Sequence, residues 1–97
     1  MHQVACLPTL EELRSHIHRA LCAPDNLDPE QTPLWHGLIV RRGKPCGMFF
    51  EVEGPRLLKN HALWVSEESR VLFYNSQGER FLELRLSEAP DARRLAA

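Results

Sequence analysis

The segment from Leu34 to Leu86 constrains the fold of this chain more than any other feature. It consists of apolar-rich runs separated, about every ten residues, by turn-forming residues. Bulky apolar side chains occur at both parities of the alternation, whereas a sheet with one solvated face keeps them at one parity. The segment therefore predicts an antiparallel sheet in which both faces are covered.

The runs predict five strands, which cover residues 34–41, 45–53, 57–65, 70–75 and 79–86. Short connections favour neighbouring antiparallel strands and hence a meander. A three-residue loop centred on Gly43 predicts the pairs Val40–Cys46, Leu38–Met48, Leu34–Val52, Phe49–Gly37 and Ile39–Gly47. A tight turn at Gln77-Gly78 predicts the pairs Phe73–Leu82, Val71–Leu84 and Tyr74–Phe81.

One helix is predicted before the sheet. Thr9 is suited to cap its first turn, with Glu12 three residues later, and an apolar stripe recurs at helical spacing from Leu10 to Leu21. Pro24 ends the helix at Cys22 or Ala23. The prediction is an α+β fold in which this helix packs on a five-stranded antiparallel meander. Residues 1–8 are predicted to form an arm, 9–86 the domain, and 87–97 a frayed or short helical tail.

One helix covers one face of such a sheet, and the opposite face still carries many apolar side chains. We predict that this second face is the partner-binding surface, formed by Trp35, Ile39, Phe49, Leu72, Tyr74 and Phe81. Strand 57–65 can be oriented either way. The face can be covered by strong curling of the sheet, by loop 23–33 together with the tail, or by a second copy in a homodimer.

Composition excludes several classes of function. The net charge of −1 gives no overall attraction to nucleic acid or to an anionic bilayer. Three cysteines without regular spacing predict free thiols in a reducing cytoplasm rather than a disulfide framework. The N-terminus does not have the pattern of a signal peptide, and no apolar run is long enough to span a membrane.

One basic cluster stands out in this nearly neutral chain. Arg41, Arg42 and Lys44 surround Gly43 at the first predicted turn and form a possible anion contact. The alternative is a solvated hairpin tip whose cations discourage edge-to-edge aggregation. Glu67 and Glu68 are predicted to lie at the same end of the sheet, which weakens the case for nucleic-acid binding.

Metal and catalytic patterns are weak. His18 and Cys22 share one helix face, but zinc needs two further ligands, and only Cys46, His36 and His61 are available in the strands. Cys46 would also need a base and a positive field to act as a nucleophile, whereas its parity places it in the core. Glu51, Glu53 and Glu83 could supply paired carboxylates, but no acid pair has a spacing that demands catalysis. No glycine-rich phosphate loop or hydrolase motif occurs, and no cofactor is predicted.

The sequence therefore favours a small cytoplasmic, non-catalytic protein that binds another protein or itself through the sheet. The alternative is a ligand carrier or small enzyme with a pocket between the helix and a curved sheet, in which His36, His61 or Cys46 supplies polar anchors.

Overall fold

The structure is a computed structural model that describes residues 1–96. A single α-helix packs on a six-stranded sheet, which confirms the predicted α+β class. The elements are β1 (His2–Cys6), α1 (Leu10–Cys22), β2 (Leu34–Arg41), β3 (Lys44–Glu53), β4 (Lys59–Val65), β5 (Arg70–Tyr74) and β6 (Arg80–Glu88). The sheet order is β1-β6-β5-β4-β3-β2, and the sheet is not strongly curled.

The helix begins and ends as predicted. The Thr9 hydroxyl accepts a hydrogen bond from the Glu12 backbone N–H at 3.1 Å. Pro24 then lies in a short 3₁₀ turn that follows directly on Cys22. Leu13, Ile17 and Leu21 are fully buried in one core cluster with side chains of β3 and β4. The amphipathic stripe therefore fixes which side of the sheet the helix covers.

The β2–β3 hairpin differs from the prediction in its turn. Arg42 and Gly43 form a two-residue turn, both with positive φ (53° and 76°). A bulge next to this turn shifts the register between Ile39 and Val40. The bulge pairs Val40 with Pro45, so the predicted Val40–Cys46 pair is wrong. It also restores the rest of the register, and the other four predicted pairs are confirmed.

The N-terminal segment, predicted as an arm, contains a strand instead. β1 pairs in parallel with β6 at one edge of the sheet, while β2 lies at the other edge. Parallel neighbours need a long connection rather than a turn, so no local signal marks their pairing. Helix α1 and loop 23–33 carry the chain from one edge to the other.

A second bulge changes the β5–β6 hairpin. Phe73 pairs with Leu82 and Val71 with Leu84, as predicted, but the register then shifts and Tyr74 pairs with Arg80 instead of Phe81. Phe81 packs against the core on the helix side, where its ring centroid lies 6.1 Å from that of Phe73. The predicted position of Phe81 on the second face is therefore wrong.

The core lies between the sheet and α1. Trp64, Phe50 and Phe73 are its largest fully buried side chains. The buried Asn60 amide joins the two layers, because it donates to the Leu21 carbonyl at 3.1 Å and to an Asp25 carboxylate oxygen at 2.9 Å.

Candidate functional site

The face of the sheet opposite α1 is the candidate site, and we call it the open face. Alternation places it: Met48 and Phe50 are buried against the helix, so Phe49 points to the other side. Leu72 is only 9% exposed, yet it is absent from the core cluster. The β2–β5 part of this face, which we call the apolar half, is formed by Trp35, Ile39, Phe49, His61, Leu63, Val65, Leu72 and Tyr74, with Glu51 between Trp35 and His61.

An aromatic stack crosses the middle of the apolar half. The His61 ring lies 5.2 Å from the Tyr74 ring, at an interplanar angle of 16°, and 5.8 Å from the Phe49 ring, at 29°. These distances are in the range of favourable aromatic pairs. Three strands thus present one continuous, half-exposed aromatic surface.

A notch beside the stack lies at Gly37. Phe49 pairs with Gly37 across the strands, but it stacks on His61 instead of covering the glycine. A Cβ built on Gly37 would meet no heavy atom of the described residues within 4 Å. Trp35, two positions away on the same face, is 64% exposed. The edge strand β2 therefore offers an empty position next to an exposed indole.

The other part of the open face is charged. Glu83 on β6 accepts from Arg70 at 3.3 Å and from Arg80 at 3.5 Å, and Arg70 also pairs with Glu68. His2 of β1 lies 3.8 Å from Glu83. These contacts join β1, β5 and β6, and they mark the limit of the apolar half.

The described residues leave the open face uncovered. Strong curling is ruled out by the shape of the sheet. Loop 23–33 lies on the helix side, where Leu27 packs against the core and His18 Nε2 lies 2.6 Å from the Thr32 carbonyl oxygen. The C-terminal segment is on the same side, since Ala89 and Ala92 pack in the core cluster. Two of the three predicted coverings are therefore wrong for residues 1–96.

The predicted anion contact lies elsewhere. Arg41, Arg42 and Lys44 line a cleft of about 850 Å³ that lies between the β2–β3 hairpin and the C-terminal segment. Glu67 lines the same cleft, as the meander predicted, whereas Glu68 is paired with Arg70. Arg93 was not predicted to take part, because only the folded chain brings the C-terminal segment to the hairpin.

The three predicted polar anchors are not brought together. His61 is on the open face, while His36 packs edge-on against Phe50 on the helix side, with 6.4 Å between ring centroids. Cys46 lies at the hairpin end of β3, half-buried, with its thiol 3.5 Å from the Ile39 carbonyl oxygen. Within residues 1–96, no group of three or more His, Cys, Asp and Glu side chains is placed to hold a metal ion.

The predicted zinc pair has other environments. His18 is engaged with the Thr32 carbonyl. Burial, together with the nearby Asp28 carboxylate, raises the pKa of the Cys22 thiol, which keeps it protonated. Next to His18 on the helix, burial and the neighbouring Arg19 guanidinium lower the pKa of His16.

Sequence reasoning missed the three members of the apolar half that lie on β4. His61, Leu63 and Val65 lie on the open face because Ala62 and Trp64 are buried against the helix. Leu63 and Trp64 are adjacent and both large, so alternation alone did not orient β4. The buried Asn60 indicates the orientation, but only once its partners on α1 and the following turn are known.

No protein-family model, curated protein or solved structure matches this chain. Among the described residues, no helix is long and apolar enough to cross a bilayer.

Proposed function

We propose that the protein is a non-catalytic self-assembly module that forms a homodimer through the apolar half of its open face. The observation that carries the proposal is an aromatic and aliphatic sheet face that no element of residues 1–96 covers. Leaving a large apolar side chain in water forgoes about 1.5–3 kcal/mol relative to burial. Extended apolar patches usually mark interaction surfaces.

A second copy suits this surface better than a charged partner does. Glu51, which pairs with Trp35 and with His61 across the strands, is a single carboxylate within the apolar half, and the charged side chains around this half are engaged with one another. Homodimer interfaces are the more apolar class, and a two-fold axis places like surface on like surface. Sheets stack face to face about 10 Å apart, with their side chains interdigitating. The notch at Gly37 provides space for a side chain from the partner sheet.

The cysteines support the proposed cytoplasmic location. Cys6 is exposed, Cys22 is buried and Cys46 is half-buried, and all three are free thiols. Free thiols persist in reducing compartments.

Analytical ultracentrifugation of the wild type and of Trp35→Lys tests the proposal. We expect the wild type to sediment as a dimer at micromolar concentration. Trp35→Lys should raise the dimer dissociation constant about tenfold or more, because exposed tryptophans at interfaces are frequent hot spots. Lysine is well tolerated on an edge strand, so the fold should be retained.

Leu57→Lys is the matched control. Leu57 is 75% exposed, in the turn between β3 and β4, and lies outside the open face. Leu57→Lys, like Trp35→Lys, replaces a large exposed apolar side chain by lysine, but we expect it to leave the dimer dissociation constant unchanged. A wild type that remains monomeric across the concentration series contradicts the proposal, as does an equal effect of the two variants.

A further inference from the structure

The cleft at the β2–β3 hairpin has the dimensions of a ligand site. Its volume of about 850 Å³ is within the usual range of small-molecule pockets. The hairpin forms one wall, the turn after β4 a second, and residues 90–93 a third. The cleft lies at the opposite end of β2 from Trp35 and is independent of the proposed dimer surface.

The cleft has an excess of two positive charges. Four cationic side chains and two carboxylates line it: Arg41, Arg42, Lys44 and Arg93, with Glu67 and Asp91. Asp91 is engaged with Arg93 through two contacts of 3.2 Å. None of the ion pairs found within residues 1–96 involves the three hairpin cations. Their charge is therefore available to a ligand.

The backbone at Arg42 supports a role for its side chain. Arg42 has φ 53° at the first central position of a two-residue hairpin turn. Asn, Asp and Gly are the residues favoured there, and a long side chain in this conformation is strained. The hairpin thus carries a guanidinium at the cleft at the expense of the best turn residue.

We propose that this cleft binds a small molecule that bears a phosphate monoester. Guanidinium groups match phosphate oxygens in a two-pronged geometry, and the Lys44 ammonium adds a point charge. The two carboxylates of the wall and the net charge of −1 of the whole chain work against a long polyanion. A compact ligand with one doubly charged group fits this arrangement.

Titration of the ¹⁵N-labelled full chain with glycerol 3-phosphate tests the proposal, with glycerol, inorganic phosphate and a single-stranded oligothymidylate as comparison probes. We expect saturable shift changes confined to residues 41–46 and 90–93. Glycerol should give no change, and inorganic phosphate should bind more weakly than the ester. The oligothymidylate should bind more weakly per phosphate group.

Arg42→Asn removes the guanidinium while keeping a residue suited to the turn. We expect it to weaken glycerol 3-phosphate binding about tenfold or more, as the loss of a charge-assisted contact implies. Unfolding should occur at an equal or higher denaturant concentration than for the wild type, so a loss of binding cannot be attributed to misfolding. Arg56→Asn is the matched control, since Arg56 is exposed and also left-handed, with φ 63°.

Equal binding by Arg42→Asn and the wild type would overturn the site, and so would an equal loss in Arg56→Asn or shift changes spread over all basic residues. Tighter binding of the oligothymidylate, or inorganic phosphate binding as tightly as the ester, would overturn the assignment to a phosphate monoester.

Discussion

Phe49 and Phe50 are adjacent phenylalanines on β3, and their rings lie on opposite faces of the sheet. Phe50 is fully buried between the sheet and α1, whereas Phe49 is half-exposed on the open face and stacked on His61. The alternation of the strand sends one ring into the core and the other to a surface that the described chain does not cover. The comparison shows that one face of this sheet is covered within residues 1–96, while the other is left open, and this difference is the basis of the proposed dimer.

The comparison predicts unequal costs for truncating the two rings. Phe50→Ala should lower the free energy of unfolding by about 3–5 kcal/mol, because it leaves a cavity in a filled core. Phe49→Ala should cost less, about 1 kcal/mol in the isolated subunit, since its ring is partly exposed and its removal opens no enclosed cavity. Urea denaturation at a protein concentration below the dimer dissociation constant measures both free energies of unfolding. Equal costs would mean that the two faces are equally completed within one subunit.

Gly47 and Gly37 differ in the space around them. A Cβ on Gly47 would lie 1.9 Å from the Trp64 carbonyl oxygen, so Gly47→Ala forces the backbones of β3 and β4 apart. It should destabilise the subunit by about 1–3 kcal/mol, as other overpacking substitutions do.

Gly37→Val, in contrast, places its side chain in open space and should raise subunit stability by about 0.5–1 kcal/mol, because valine suits a strand better than glycine does. It also fills the notch and should weaken dimerisation. Denaturation and sedimentation of the same samples separate the two effects. Stronger dimerisation of Gly37→Val would show that the notch receives no side chain.

The smallest expected effect is a pH dependence that originates on the helix side. Burial and Arg19 lower the pKa of His16 in the folded protein. The unfolded chain therefore binds a proton more readily, and the stabilising contribution of neutral His16 is present above the ordinary histidine pKa. It is lost as the pH falls through the lowered pKa. His16→Gln should flatten the fall in the free energy of unfolding below about pH 6.5. An unchanged slope would show that His16 is not its source.

Local patterns in the sequence predicted most of the fold. The Thr9 cap, the apolar stripe of α1 and the turn residues at Gly43 and Gly78 each act over a few positions, so the helix and five strands were found. Strand β1 was missed because its pairing with β6 depends on residues about 80 positions away and on no turn.

The candidate site was predicted less completely, and two bulges explain part of the difference. The bulge near Tyr74 moved Phe81 to the helix side, although strict alternation placed it on the open face. The turn of the β2–β3 hairpin has two residues instead of the predicted three, and the bulge at Val40 offsets this difference. Most of the β2–β3 pairs were therefore predicted correctly although the turn was not. A single residue inserted in a strand reverses every parity beyond it, and the sequence carries little signal for it.

Isotope-filtered NOE spectroscopy on an equal mixture of ¹³C-labelled and unlabelled protein detects the proposed dimer contacts themselves. Because only contacts between copies give signals, we expect intermolecular NOEs from Leu63, Leu72 and Phe49 and none from Phe50 or Phe73. Intermolecular NOEs that come instead from Leu57 and Leu58, or none at a concentration well above the micromolar range, would contradict the proposed dimer.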